Sequence, residues 1–296
     1  MKAYAFVTVD VFTDRRFGGN PLAVFPDARG LSDADMQSLA AEFNLSETTF
    51  VLPPENPAHS ARVRIFNGTA EMPFAGHPNV GTGYVLAGEG RDKEGVLRFE
   101  ELAGLVEVKV ERDRAGSLTG ATIAAPRPLS LGPELPAEAV AACTGLDRSD
   151  VLVGAHKPVL ASVGMPFLFA EVTGAALTRA APDHGAFRQA DSDWPSLKGR
   201  LAIHLYARDG GRIRARMFAP LSGTSEDPAT GSANATLGAL LLSLTRGEET
   251  ASYEIVQGVE MGRPSLLRVT ARRAADGVRA TVGGGCVPVL RGEAVV

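Results

Sequence analysis

Residues 226–234 read Glu-Asp-Pro-Ala-Thr-Gly-Ser-Ala-Asn and set two carboxylates ahead of a Gly-Ser pair and an Ala- and Leu-rich run. Residues 71–79, Glu-Met-Pro-Phe-Ala-Gly-His-Pro-Asn, carry the same frame. Glu71 matches Glu226, Pro73 matches Pro228, Gly76 matches Gly231 and Asn79 matches Asn234, whereas Met72 faces Asp227 and His77 faces Ser232. A helix start leaves backbone N–H groups without partners and carries partial positive charge. A glycine there lets an anion approach the backbone closely. Two such starts, at Gly76–His77 and Gly231–Ser232, suit a small carboxylate, and an acid beside them suits proton transfer. Plainer readings stand beside these. The phrases can be ordinary caps, with Pro78 in a first turn, and Asp227 before Pro228 can simply form a turn. A third stretch, 44–50, reads Asn-Leu-Ser-Glu-Thr-Thr-Phe and places Ser46 and Glu47 where a helix gives way to a strand. Glu47 there is either a proton carrier or a solvated charge. His77 is either a proton handler or a satisfied cap.

The elements that must position these groups repeat as well. Arg-Val-Arg-Ile-Phe (62–66) is echoed by Arg-Ala-Arg-Met-Phe (214–218), and both read as half-buried strands. Each is followed by a loop, the Pro-x-x-Gly phrase and an apolar helical run. A repeat at about half the chain is too long for a solenoid period and reads as one domain duplicated into two lobes. Helices are expected over 31–43 with Ser32 as N-cap, from Gly76, near 137–145, near 183–190 and from Ser232. Strands are expected over 3–12, 22–25, 47–54, 61–66, 96–100, 104–112, 151–160, 166–173, 200–207 and 212–218, with further strands in the tail. The Pro- and Gly-rich 124–136 reads as a linker. It divides the chain into 1–125 and 126–286, with a last strand near 287–296 packing back on the first lobe. Many strands with one apolar helix per lobe predict α+β lobes, each a curved, mostly antiparallel sheet around a central helix. If the lobes face each other, both helix starts point into one cleft.

The bulk numbers narrow the function. A chain of 296 residues, 45% hydrophobic and 22% charged, can bury a core in each of two domains. A net charge of −4 without a long basic run argues against nucleic acid or an acidic membrane as partner. No apolar stretch has the length of a spanning helix. The opening strand, interrupted by Asp10, does not read as a signal peptide, so a cytoplasmic location is expected. Cys143 and Cys286 suggest no disulfide framework. The five histidines form no H-x-x-x-H pair, so no metal site is expected. There is no nucleotide-binding glycine loop and no G-x-S-x-G elbow, so no organic cofactor is expected either.

Five segments in order resemble the PhzF-like proteins of the phenazine-biosynthesis family: 9–25, 43–54, 71–87, 216–242 and 257–265. The resemblance implies the diaminopimelate-epimerase fold, two pseudo-symmetric α+β lobes with the active site between them, and a homodimer. It also implies a cofactor-independent isomerase that moves a proton within a small cyclic or amino-acid-like carboxylate. In the phenazine enzyme the glutamate of the Asn-Leu-Ser-Glu-Thr segment moves the proton, and here that glutamate is Glu47. The resemblance assigns further catalytic roles to His77 and Asp227, and substrate binding to Ser46, Gly76, Gly231 and Ser232. The two-thiol epimerases of this fold carry a cysteine on each lobe. Neither repeated phrase here contains one, so two-thiol chemistry is not expected. Two alternatives stay open: a one-carboxylate epimerase of an amino-acid-like compound, and a non-catalytic binding protein on the same fold.

Overall fold

The computed structural model describes residues 1–197 and 199–296. The chain divides into two compact units, one of residues 1–124 with 282–296, the other of residues 125–281. Both are α+β.

The first unit runs β1 (Ala3–Val11), β2 (Asn20–Phe25), α1 (Asp33–Phe43), β3 (Glu47–Leu52), β4 (Ala61–Phe66), β5 (Glu71–Met72), α2 (Gly76–Gly88), β6 (Val96–Glu101), β7 (Gly104–Arg112) and β8 (Leu118–Ala124). Most pairings are antiparallel, but β2 with β3 and β4 with β6 are parallel. α1 starts as its sequence requires. The Ser32 hydroxyl accepts from the Asp35 N–H while the Asp35 carboxylate accepts from the Ser32 N–H. It stops at Asn44, which takes the left-handed conformation at φ 50°. α2 has almost no polar face, and eleven of its thirteen residues are buried, as a helix surrounded by sheet demands.

The second unit runs β9 (Ser130–Glu134), α3 (Ala137–Thr144), β10 (Val151–Leu152), β11 (Val159–Ser162), β12 (Pro166–Val172), α4 (Gly174–Arg179), α5 (His184–Asp193), β13 (Ile203–Asp209), β14 (Arg212–Ala219), β15 (Thr224–Asp227), α6 (Gly231–Leu244), β16 (Thr250–Gln257) and β17 (Ser265–Ala274). A long last strand, β18 (Gly277–Val295), begins here and ends in the first unit. In that unit it pairs antiparallel with β1, from Ala3 opposite Val295 to Val11 opposite Cys286. The backbones of Lys2 and Val296 bond each other beyond the end of this ladder.

The duplication extends to side chains. Arg64 grips Glu71 through two nitrogens, at 2.7 and 2.6 Å, and lies over the Phe66 ring. Arg216 grips Glu226 in the same way, at 2.8 Å twice, and lies over the Phe218 ring. Gly83 and Gly238 let each central helix lie close to its sheet. A Cβ on Gly83 would stand 2.5 Å from Val108 Cγ1, and one on Gly238 would stand 2.4 Å from Val269 Cγ1.

Three expectations are corrected. The 124–136 stretch is not only a linker, because Ser130–Glu134 form β9 and pair with β11. The strand expected over 151–160 is two short strands, β10 and β11, with a turn between them that contains Gly154 and Pro158. α6 opens at Gly231, one residue before the expected Ser232.

Candidate active site

In the first unit the sequence-predicted residues converge. Glu47 is the first residue of β3, and Ser46 precedes it in the tight passage from α1. The parallel register of β2 and β3 sets Glu47 beside Leu22, which brings the start of β3 alongside Asn20. His77 is the second residue of α2 and is 4% exposed. Its Nε2 stands 3.5 Å from Glu47 Oε2, close but longer than an ordinary hydrogen bond. Asn20, 1% exposed, joins the group from the other side. Its Oδ1 accepts from Ser46 Oγ at 3.1 Å, and its Nδ2 lies 3.4 Å from His77 Nδ1. With the Asn20 amide donating to Nδ1, the imidazole proton sits on Nε2 and faces Glu47. Burial pushes the His77 pKa down to about 3, so the ring is neutral across the physiological range.

The α2 N-cap residue, Ala75, offers no side chain to the first turn. The Asn79 amide instead reaches back to the Ala75 carbonyl at 3.0 Å, which fixes the turn holding His77 without consuming its N–H groups. Gly76 is buried at the head of this turn.

In the second unit Asp227 ends β15, opposite Met217, and is 7% exposed. Its Oδ2 accepts from Thr230 Oγ1 at 2.5 Å. Thr230, the N-cap of α6, therefore gives its hydroxyl to Asp227 and not to the helix. Gly231, buried, and Ser232, half-buried, follow as the first residues of α6. Gln257, fully buried, braces this start. Its Nε2 donates to the Asp227 carbonyl at 2.7 Å and to Thr230 Oγ1 at 3.0 Å. Its Oε1 accepts from Asn234 Nδ2 at 2.6 Å and from the Thr230 N–H at 3.2 Å. Asn234 also donates to the Thr230 carbonyl at 3.0 Å, as Asn79 does to Ala75.

Each unit thus presents a buried helix start, with no side-chain cap, beside a carboxylate. Asn20 and Gln257 were not among the predicted site residues. Asn20 reads as a turn residue in the Gly-Gly-Asn-Pro stretch, and Gln257 opens the 257–265 segment without a chemical signature of its own. Cys143 lies in the core of the second unit, where burial, with a smaller contribution from Asp183, pushes its thiol up to about 12. Cys286 is buried too, its sulfur 4.0 Å from the Val80 carbonyl. Among the described residues no three His, Cys, Asp or Glu side chains are placed to hold a metal ion, and no helix is long and apolar enough to cross a membrane.

The duplicated α+β fold and its two buried helix starts define the class by architecture: two similar units, each built around one apolar helix. The comparisons with known proteins are specific. The family described as "Phenazine biosynthesis-like protein" matches residues 9–292. The chain is 38% identical over 295 residues to the trans-2,3-dihydro-3-hydroxyanthranilate isomerase of Pseudomonas chlororaphis, covering 98% of this chain and 99% of that one. It is 36% identical to an uncharacterised isomerase of Mesorhizobium japonicum, with 99% of each chain covered. A crystal structure of a PhzF-family protein from Bacillus anthracis superposes with a TM-score of 0.88 over the whole of both chains at 24% identity, which establishes the shared fold. The chain belongs to the phenazine biosynthesis-like, or PhzF, family, and it is an isomerase.

Proposed function

We propose that this isomerase shifts a proton within a small cyclic or amino-acid-like carboxylate, with Glu47 as acid and base and no cofactor. The observation that carries the reading is the contact of Glu47 with His77 at the uncapped start of α2. The Glu47 carboxylate takes a proton from a carbon beside, or conjugated through a double bond to, the substrate carboxylate. The C–H electron pair enters the π system, the double bond moves, and Glu47 returns the proton to the distant carbon. Negative charge that builds on the substrate carboxylate is stabilised by the N–H groups of a helix start. Neutral His77 turns its Nε2–H toward Glu47, so it orients the carboxylate without neutralising it. Asp227, Gly231 and Ser232 are proposed as further residues that handle the substrate, as are Ser46 and Gly76.

The name of the Pseudomonas relative supplies the compound to try first. Purified protein in heavy water should convert trans-2,3-dihydro-3-hydroxyanthranilate with deuterium entering the product carbon, read by NMR. Glu47→Gln keeps the shape and removes the base. Turnover should fall by roughly 100-fold or more with ligand affinity little changed. Exchange at the wild-type rate in that variant would make Glu47 structural and pass the role of base to Asp227.

A further inference from the structure

The two central helices start alike, but their braces differ by one atom type. In the second unit the brace is Gln257, paired with Ala215 across the parallel β14–β16 register. In the first unit the matching parallel register places Arg62 beside Glu100. One residue further, at the end of β6, stands Glu101, where the second unit has Gln257. Both carboxyl oxygens of Glu101 are buried, and among the described residues neither makes a hydrogen bond of normal geometry. The Asn79 Oδ1 beside it is buried and unpartnered as well.

Among the described residues no cation pairs with Glu101. It borders a cavity of about 680 Å³ that also receives Arg62, Arg64 and His59. Each of these is engaged elsewhere. Arg62 bonds Glu55, Arg64 bonds Glu71 and Asp33, and His59 bonds Glu100. From α2 the group facing Glu101 is the uncharged Asn79 amide. A carboxylate buried without a partner is among the most costly arrangements a protein can hold, whereas a carboxylic acid has one donor and one acceptor, as an amide does.

We infer that Glu101 carries a proton in the working protein and, as a neutral acid, braces the start of α2 as Gln257 braces the start of α6. It is a positioning residue. It acts through Asn79, whose amide spans the turn that holds His77. The Met72 carbonyl, which stands where the second unit has the Asp227 carbonyl, is the acceptor assigned to its proton. Burial pushes the Glu101 pKa up to about 8, and the Asn79 amide opposes this only in part.

The test uses the full chain. Carbon-13 titration of labelled glutamate carboxyls, with Glu101→Gln to assign the resonance, should find Glu101 protonated at pH 6.5 and ionising near pH 8. A carboxyl whose folded pKa is raised contributes stability that is complete below its unfolded value and is lost as pH rises through the folded one. The Tm of the wild type should therefore fall relative to that of Glu101→Gln by roughly 4 °C or more between pH 5 and pH 9. In the exchange assay Glu101→Gln should stay within about threefold of wild type and lose the alkaline fall near pH 8, while Glu101→Leu drops about tenfold. A Glu101 carboxyl ionised at pH 6.5 overturns the inference, as do parallel Tm–pH curves or a Leu variant as active as the Gln variant. The activity arm rests on the proposed proton shift. The titration and Tm arms need no substrate, so they remain decisive if that reading of Glu47 fails.

Discussion

The two units hold the same framework and different chemistry. Arg64 and Arg216, Asn79 and Asn234, and Gly83 and Gly238 make the same contacts at matching places. At the chemical positions they part. Thr48 and Thr49 stand opposite Phe66 and Ile65, and Ile203 and His204 stand opposite Phe218 and Met217. By that register the counterpart of Glu47 is Ala202, and the counterpart of Thr49 is His204. His77 answers to Ser232, Met72 to Asp227 and Glu101 to Gln257. What both copies kept is what shapes a helix start. What diverged is what faces it, so neither unit is a spare of the other.

The framework half of this comparison can be broken most severely at the arginines. Arg216 is almost fully buried and donates to the Leu177, Thr178 and Ala180 carbonyls as well as to Glu226. Arg64 also lies over an aromatic ring, but among the described residues its hydrogen-bonding partners are Glu71 and the exposed Asp33 alone. Arg216→Leu should cost about 3–5 kcal/mol, because it strands the Glu226 carboxylate and removes a donor from three carbonyls. Arg64→Leu should cost about 1–3 kcal/mol. Equal losses in urea unfolding would mean that the carbonyl contacts of Arg216 contribute nothing.

The glycines sharpen the same comparison. Gly83→Ala and Gly238→Ala press a methyl group against a valine in equivalent positions, so each should cost about 1–3 kcal/mol, and by similar amounts. A large disparity would show that one sheet yields where the other does not.

The smallest effect concerns His204. Burial, opposed in part by the Asn234 amide, pushes its pKa down to about 3. A histidine with a depressed folded pKa contributes stability that is present above its unfolded value near 6.5 and lost as pH falls toward the folded one. His204→Leu should therefore lose stability less steeply than wild type between pH 6.5 and pH 5, by about 1 kcal/mol per pH unit. An unchanged slope would place the acid sensitivity elsewhere, with His77 the first candidate.

Much of this was legible in the sequence because repetition carries information that a single motif lacks. The paired Pro-x-x-Gly phrases located α2 and α6 to within a residue, and the paired Arg-rich runs located β4 and β14. The Ser32 cap was read from local chemistry that the fold leaves untouched. Asn20 was not legible, since an asparagine that forms a turn and one that joins Ser46 to His77 are spelled the same way. Only the β1–β2 ladder, with Asn20 opposite Val11, decides between them. The correspondence of Glu101 with Gln257 was hidden because spacing slips between the copies and the residue types differ. β9 was missed because a Pro- and Gly-rich stretch signals a linker until its partner strand, β11, is known.

The last strand gives the chain an order of assembly. The second unit has all its residues once position 281 has left the ribosome, whereas the first still lacks residues 282–296. Among the described residues β1 pairs with β2 and β18, so until residues 282–296 arrive it shows one bare edge over residues that end up in the core. Such an edge is an invitation to pair with another chain. The unit that carries Glu47 and His77 is thus the first to be made and the last to close, and its period of risk is the time needed to translate everything between residues 124 and 282.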